Sequence, residues 1–393
     1  VSSQIVVLGG SGEGLLDRLR AVRADGDVPL VGNDRWPAAH WDAVRELAAS
    51  RPVPAEAGWA TLTSGTSGTP RIVLRSAASW ERSFEAVSAL LASPGGADAE
   101  QRILLPSPPA SSLTLFSLAH ALGGGPRPVL PDSADRAEAT VLHGTPQALS
   151  AVLAAGDLPH LRTALIGGSH LPAGLRAEAE YRGVRVVSYY GAAELSFVAL
   201  DTGDGHRAFP GAEPSFVALD TGDGHRAFPG AELEIRQGEL WVRSPYLALG
   251  YLGGPGPVRT AGDWMSVGDL ATLEDGVLTV HGRRDAAILT ASATVIPDEV
   301  EAGLRTLPGI ADAVVLGLPT DGIGALVAAM IEPEPGAAVP TARALRSLAA
   351  TRFTSSHRPR IWFEGPVPRT ESGKPARAEA LRRVQAGEVR RCA

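Results

Sequence analysis

The chain has 393 residues, 44% of them hydrophobic, which is enough apolar side chain for two or three domains with sizeable cores. A formal charge of −7, with no basic cluster outweighing its acidic neighbours except the short pair Arg390 and Arg391, excludes a nucleic-acid footprint. One cysteine, Cys392, excludes a disulfide framework and cysteine-built metal sites, and the absence of a long apolar run or a charged, apolar leader in VSSQIVVLGG predicts a cytoplasmic protein with no membrane partner.

In chain order, QIVVLGG, WATLTSG, RILLPSP, ATVLHGT, TALIGG and VRVVSYYG read as short strands ending in turn residues. Helical patterns lie between several of them, from Ala78 to Ala92 and from Pro172 to Tyr181, so layered α/β architecture with a site at the strand ends is expected. From about residue 230 the pattern changes, and LEIRQGELWVRSP and WMSVGDLATLEDGVLTVHGRRD read as hairpins turning at RQGE and LEDG. A small unit follows: helix from Pro297 to Thr306, strands from Ala311 to Leu318 and Ala325 to Ile331, helix from Thr341 to Phe353, strand from Arg360 to Glu364. The expected division is one domain over residues 1–284 and a second over 285–393.

One segment obeys no fold logic. SFVALDTGDGHRAFPGAE runs from Ser196 to Glu213 and again, letter for letter, from Ser215 to Glu232 with Pro214 between the copies. Two copies are too few for a solenoid, and either alone connects YYGAAEL to LEIR, so one copy is surplus and a surface loop absorbs it at modest entropic cost.

The stretch TLTSGTSGTPRIVL, residues 61–74, is crowded with Gly, Ser and Thr. Small residues between two strands let backbone N–H groups approach an anion while hydroxyls add donors, which makes this a phosphate-loop candidate with a flexible turn as the alternative. It is neither G-x-x-x-x-G-K-[ST] nor G-x-S-x-G, and LGGSGEG, from Leu8 to Gly14, fails G-x-G-x-x-G and reads as a strand-end turn.

LTSGTSGTPR, YYGAAE (Tyr189 to Glu194), VGDL (Val267 to Leu270), GRRD (Gly282 to Asp285) and PRTESGK (Pro368 to Lys374) stand in the order and approximate spacing of the adenylate-forming superfamily. The chain resembles that family, which includes acyl- and aryl-CoA synthetases, nonribosomal peptide adenylation domains and luciferases. The likeness runs from about Ala60 to the end, and the compact length is most similar to short bacterial o-succinylbenzoate–CoA ligases. It implies an α/β fold: a large N-terminal layered domain with a distorted β-barrel region, and a small α+β C-terminal domain that swings about a hinge at Asp285.

The resemblance also implies roles. A loop of Thr63, Ser64, Gly65, Thr66, Ser67, Gly68, Thr69 and Arg71 grips the ATP phosphates. Gly167, Gly168 and Ser169 form the adenine and acyl pocket wall, Tyr190 and Gly191 meet the adenine, and Asp269 and Arg283 hold the ribose. Glu194 matches a magnesium ligand, and Mg2+ held by one carboxylate plus phosphates is ordinary for that ion. Lys374 matches the lysine that joins substrate carboxylate to α-phosphate, where an anion must approach a polyanion.

The implied activity is adenylation of a small carboxylic acid by ATP and Mg2+, then transfer to coenzyme A. An acyl carrier protein's pantetheine, an amine acceptor and an impaired pseudoenzyme stay open as alternatives. Departures from the family's pattern motivate them: Arg71 for lysine, Ala193 for threonine, Val267 for threonine, and Leu289 and Ser292 where CoA ligases often carry lysine and glycine. Arg352, Arg358 and Arg360 are candidates for the charge a CoA nucleotide needs.

Overall fold

The computed structural model describes residues 3–10, 14–64, 70–92, 101–203, 224–254, 256–283, 286–290, 294–320, 324–337, 340–355, 357–370 and 374–392. Five residues of the phosphate-loop candidate, Gly65 to Thr69, the hinge candidate Asp285, and Ser292 lie outside them. Two compact units emerge. The first comprises Val1–Arg236, Trp241–Val267 and Leu273–Thr279, the second Gln237–Leu240, Gly268–Thr272 and Val280–Ala393.

The chain begins with β1 (Ile5–Leu8), α1 (Leu15–Ala24), β2 (Val28–Val31), α2 (Ala38–Ala49), β3 (Ala57–Ser64), β4 (Pro70–Ser76) and α3 (Ala77–Leu91). There follow β5 (Arg102–Leu104), α4 (Ser112–Leu122), β6 (Arg127–Val129), β7 (Val141–Gly144), α5 (Pro146–Ala155), β8 (Thr163–Ile166), α6 (Ala173–Tyr181), β9 (Arg185–Ala192), β10 (Ser196–Asp201) and β11 (His225–Ala227). Short strands come next: β12 (Glu232–Arg236), β13 (Glu239–Arg243), β14 (Gly250–Tyr251), β15 (Arg259–Ala261), β16 (Trp264–Ser266), β17 (Asp269–Glu274), β18 (Val277–Arg283), β19 (Ile288–Leu289) and β20 (Thr294–Val295). The last stretch holds α7 (Pro297–Leu304), β21 (Ile310–Thr320), β22 (Gly324–Pro333), α8 (Ala342–Arg352), β23 (Ile361–Glu364), α9 (Arg377–Gln385) and β24 (Arg390–Arg391).

In the first unit, β1, β2 and β3 run parallel, β4 folds back on β3, and β14 closes that sheet against β4. A second sheet is parallel through β6-β5-β7-β8-β9 and turns antiparallel through β10, β11 and the start of β18. Strands β7 and β8 are buried at every position, as parallel strands covered on both faces must be. Helix starts carry their own caps: Ser76, Ser111 and Thr145 each accept the N–H three residues on, and Pro146 follows Thr145 at the first helical turn. The hairpins at RQGE and LEDG form as expected, with positive φ at Gln237 and Gly238 and at Asp275 and Gly276, the geometry two-residue hairpin turns demand.

Residues 204–223 of the duplicated segment lie outside the described residues. Strand β10 is built from the first copy and β11 from the second, and they pair through Ala199 with Ala227 and Leu200 with Arg226. The core runs through both: Trp80, Phe116, Phe197, Phe228 and Tyr246 stack in sequence with centroid spacings of 5.7, 4.9, 5.3 and 5.3 Å. One aromatic from each copy therefore completes a single ladder.

In the second unit β21 and β22 form a long antiparallel pair, β23 joins β22 in parallel and β24 closes the edge. The helix, strand, strand, helix, strand order expected there is present, extended by α9 and β24. Arg390 and Arg391, read as a tail, form that edge strand, and Cys392 packs into the core beside Trp362. Among the described residues no helix is long and apolar enough to cross a membrane.

Two predictions follow from the first unit. Removing residues 196–214 leaves the same chain as removing 205–223, so the deletion keeps every residue of β10 and β11 as a single copy; thermal melting is expected to shift by no more than a few degrees, and loss of cooperative unfolding would show that both copies are needed. Burial lowers the pKa of His143 to about 3 and of His120 to about 4. The unfolded chain takes up these protons near pH 6.5 while the native state refuses them, so stability is full above pH 6.5 and lost as pH falls towards 4. Each histidine contributes a loss of roughly 2 kcal/mol at pH 5; melting against pH checks this, with His143→Gln expected to flatten the slope.

Candidate functional site

The hairpin β3–β4 carries Thr63, Ser64 and Arg71 to its turn end: Thr63 pairs with Arg71 and Ser64 with Pro70, so the loop candidate is the connection between the two strands. Two residues beyond Arg71, Val73 pairs with Tyr251 of β14. The Tyr251 hydroxyl donates to the Glu194 carboxylate, which sits 8% exposed in the turn between β9 and β10. The structure thus brings Glu194 beside the strand that leads out of the loop candidate, a proximity invisible in a sequence where the two lie more than a hundred residues apart.

Gly167, Gly168 and Ser169 follow β8, at the carboxyl ends of the parallel strands where α/β sheets bind ligands. Gly167 packs under Tyr189, and a Cβ there would come within 2.2 Å of the ring. Gly191 is equally constrained, since its Cβ would meet the Ser196 carbonyl oxygen at 2.2 Å. Tyr189 is fixed from below: its hydroxyl lies 3.0 Å from His143 Nε2, and His143 Nδ1 lies 2.7 Å from the Ser117 hydroxyl. Tyr190, half-buried on the strand beyond, pairs with Ala199.

The fit of this chain to a nucleotide rests on donor chemistry. Among the described residues the buried Ser169 hydroxyl finds no hydrogen-bond partner, an orphan expected to be satisfied by a ligand or water. Among the described residues no group of three or more His, Cys, Asp or Glu gathers to hold an ion. Glu194 is a lone carboxylate, which suits Mg2+ carried in on phosphates.

In the second unit, Asp269 opens β17 and Arg283 ends β18, so folding the hairpin brings them together: Arg283 Nε donates to Asp269 Oδ1 at 3.2 Å, with the aspartate nearly buried. Lys374 is exposed, its N–H on the Thr370 hydroxyl and its carbonyl accepting the Thr370 N–H at 2.7 Å. Ion pairs hold the neighbouring residues on both sides. Arg369 reaches Asp312, and Arg377 reaches the buried Glu301 at 2.7 Å and Asp298 at 2.9 Å. Of the three arginines read as CoA contacts, Arg358 donates to the Phe353 and Ala350 carbonyls at the end of α8, and Arg360 to the Ser355 carbonyl.

Three features escaped the sequence reading. Tyr251 sits in YLGG and carries no motif, and Arg75, buried beside Glu194, looks like any strand residue. The third was legible: Lys374 is the only lysine in the chain, every other Lys or Arg position among the 36 being arginine.

Comparison with known proteins identifies the family. Residues 16–252 match the AMP-binding enzyme family and residues 299–374 the AMP-binding enzyme C-terminal domain. The match begins well before Ala60, so residues 16–59, expected to lie outside the likeness, are part of it; they supply β2, which extends the sheet of β3. A Mycobacterium tuberculosis protein named "Probable 2-succinylbenzoate--CoA ligase" is 31% identical over 402 residues, covering 95% of this chain and 96% of that one. Among solved structures, a variant of E. coli MenE with bound OSB-AMS aligns at a TM-score of 0.78 and 20% identity, covering 98% of this chain and 89% of the other. The Bacillus subtilis o-succinylbenzoate CoA synthetase in complex with the acyl-adenylate OSB-AMP aligns at 0.73 and 19%, covering 96% and 88%. The chain belongs to the AMP-binding enzyme family and is an adenylate-forming ligase.

Proposed function

We propose that the protein uses ATP and Mg2+ to adenylate an aromatic carboxylic acid of the 2-succinylbenzoate type, releases pyrophosphate, and passes the acyl group to the thiol of coenzyme A. The name carried by the mycobacterial relative supports the acid and the acceptor. The observation that carries the reading is the solitary lysine. In a chain that uses arginine for every other such cation, the ammonium of Lys374 supplies a compact point charge able to sit between a carboxylate and a phosphate, where a planar guanidinium would pair with one of them in a fork.

The residues take these roles. Thr63, Ser64, Arg71 and the loop between them hold the β- and γ-phosphates, Gly167 to Ser169 and Tyr190 with Gly191 enclose the adenine, and Asp269, oriented by Arg283, takes the ribose hydroxyls. Glu194 is the protein's ligand to Mg2+, whose charge offsets that of the phosphates. Lys374 acts while carboxylate and α-phosphate meet, and is withdrawn when residues 285–393 turn about Asp285 to admit the thiol.

Pyrophosphate exchange over a panel of aliphatic, aryl and amino acids is expected to single out the aryl dicarboxylate, and mass analysis of thioester formed with coenzyme A or pantetheinylated carriers identifies the acceptor; carrier loading without acyl-CoA would overturn the acceptor. Lys374→Ala is expected to abolish exchange yet retain thiol transfer from supplied acyl-adenylate, and equal loss of both steps would overturn the role given to the lysine. Asp269→Ala is expected to weaken ATP binding, since charge-assisted hydrogen bonds are worth roughly 1.5 to 3 kcal/mol each before compensation; unchanged affinity in an ATP titration would remove the ribose assignment.

A further inference from the structure

Arg75, in β4, is fully buried, at 0% exposure. Its guanidinium donates to the backbone carbonyls of Ala193 and Tyr246 and lies over the Trp80 ring, 5.4 Å from the centroid. Its Nε finds no acceptor among the described residues. A cation in such a place costs several kcal/mol of desolvation, and apolar side chains of similar volume often serve stability as well or better. Packing alone therefore does not select arginine.

The nearby charge that offsets this cost belongs to Glu194, which pushes the guanidinium's pKa up while burial pulls it down to about 9. The turn bearing Glu194 is held at three polar groups. Its own carbonyl accepts the Ala248 N–H at 2.8 Å, the carbonyl before it accepts from Arg75, and its carboxylate accepts from Tyr251. Leu249 and Leu252 N–H groups bond the carbonyls of Leu74 and Ile72 at 2.8 and 2.9 Å, so the segment that grips Glu194 is itself stitched to Arg75's strand. Ser196, two residues on, has φ of 61°, a conformation that persists in a non-glycine residue only when its surroundings over-determine it. Ala193 brings no side-chain hydroxyl to this turn.

We propose that Arg75 is a positioning residue: by clamping the Ala193 carbonyl and standing as a fixed cation beside Glu194, it aims the Glu194 carboxylate at the Mg2+ carried by ATP. The inference rests on the reading of Glu194 as the magnesium ligand. A carboxylate already oriented and desolvated loses little on meeting the ion, which is what outer partners of metal ligands contribute.

The test uses the full chain and reads two quantities: calorimetric binding of an α,β-methylene ATP analogue with and without Mg2+, and the Mg2+ concentration giving half-maximal pyrophosphate exchange. Arg75→Met is expected to raise that concentration roughly tenfold, the low end for lost outer-shell partners, to abolish most of the Mg2+-dependent tightening of the analogue, and to leave KM for the acid unchanged. Arg75→Lys, which keeps the charge and one hydrogen bond, is expected to fold and fall between the two; a wild-type Mg2+ response in this variant would overturn the proposal even if Arg75→Met does not fold. Combined with Glu194→Gln, Arg75→Met is expected to add nothing further, and an equal loss in both backgrounds would mark Arg75 as merely structural. If Glu194→Gln alone keeps the full Mg2+ response, the ligand reading falls and the proposal with it; if only Arg75→Met keeps it, the ligand reading stands and the proposal falls.

Discussion

The first unit depends on one turn between two strands of opposite sense. Strand β9 is the last of the parallel run and β10 the first antiparallel one, so the chain reverses where the ligand-binding edge of the sheet lies. Glu194 stands in that reversal, 8% exposed. An anion so placed needs partners, and the fold supplies the Tyr251 phenol to the carboxylate while the Arg75 guanidinium and the Ala248 N–H, from elements distant in sequence, hold the backbone carbonyls of Ala193 and Glu194. The same partners tie the sheet of β4 and β14 to the sheet of β9 and β10, so fixing the carboxylate and joining the two layers are one act of folding.

The duplication can be tolerated because of where its surplus falls. At the start of β10 it would pull apart the Leu195 to Ala192 hydrogen bond and the contact of Gly191 with Ser196, both beside Glu194. Drawing β10 from the first copy and β11 from the second instead leaves Leu195 joined directly to Ser196 and keeps Phe197 and Phe228 in the aromatic ladder. Lengthening the chain between two paired strands costs only logarithmically in chain entropy, whereas breaking a buried turn costs its hydrogen bonds outright.

Elements with local signals were legible. Strands β7, β8 and β9 follow from runs of apolar residues, α3 and α8 from period and cap, and the two hairpins from Gln-Gly and Asp-Gly. The opening residues were obscure because α1 and α2 lack side-chain caps and present mixed faces, while α9 begins without a capping side chain. For the candidate site, motifs marked the residues proposed to meet the nucleotide. What supports them was not legible, because Arg75, Tyr251, His143 and Ser117 are recruited by strand register and burial, which no local pattern encodes.

The departures from the family's pattern read differently once the structure surrounds them. Arg71 belongs to a chain that has put arginine at every cationic Lys or Arg position except Lys374, so its replacement of lysine reflects a bias of the whole chain. Val267 is buried, and an apolar side chain there avoids the cost of an unpaired hydroxyl. Ala193 lacks a hydroxyl in a turn where Arg75 already holds the backbone from the opposite side. Val267 and Ala193 thus fall where the surrounding fold compensates for a missing hydroxyl, while Glu194, Asp269, Arg283 and Lys374 keep the residue types of the family's motifs, as their proposed roles require.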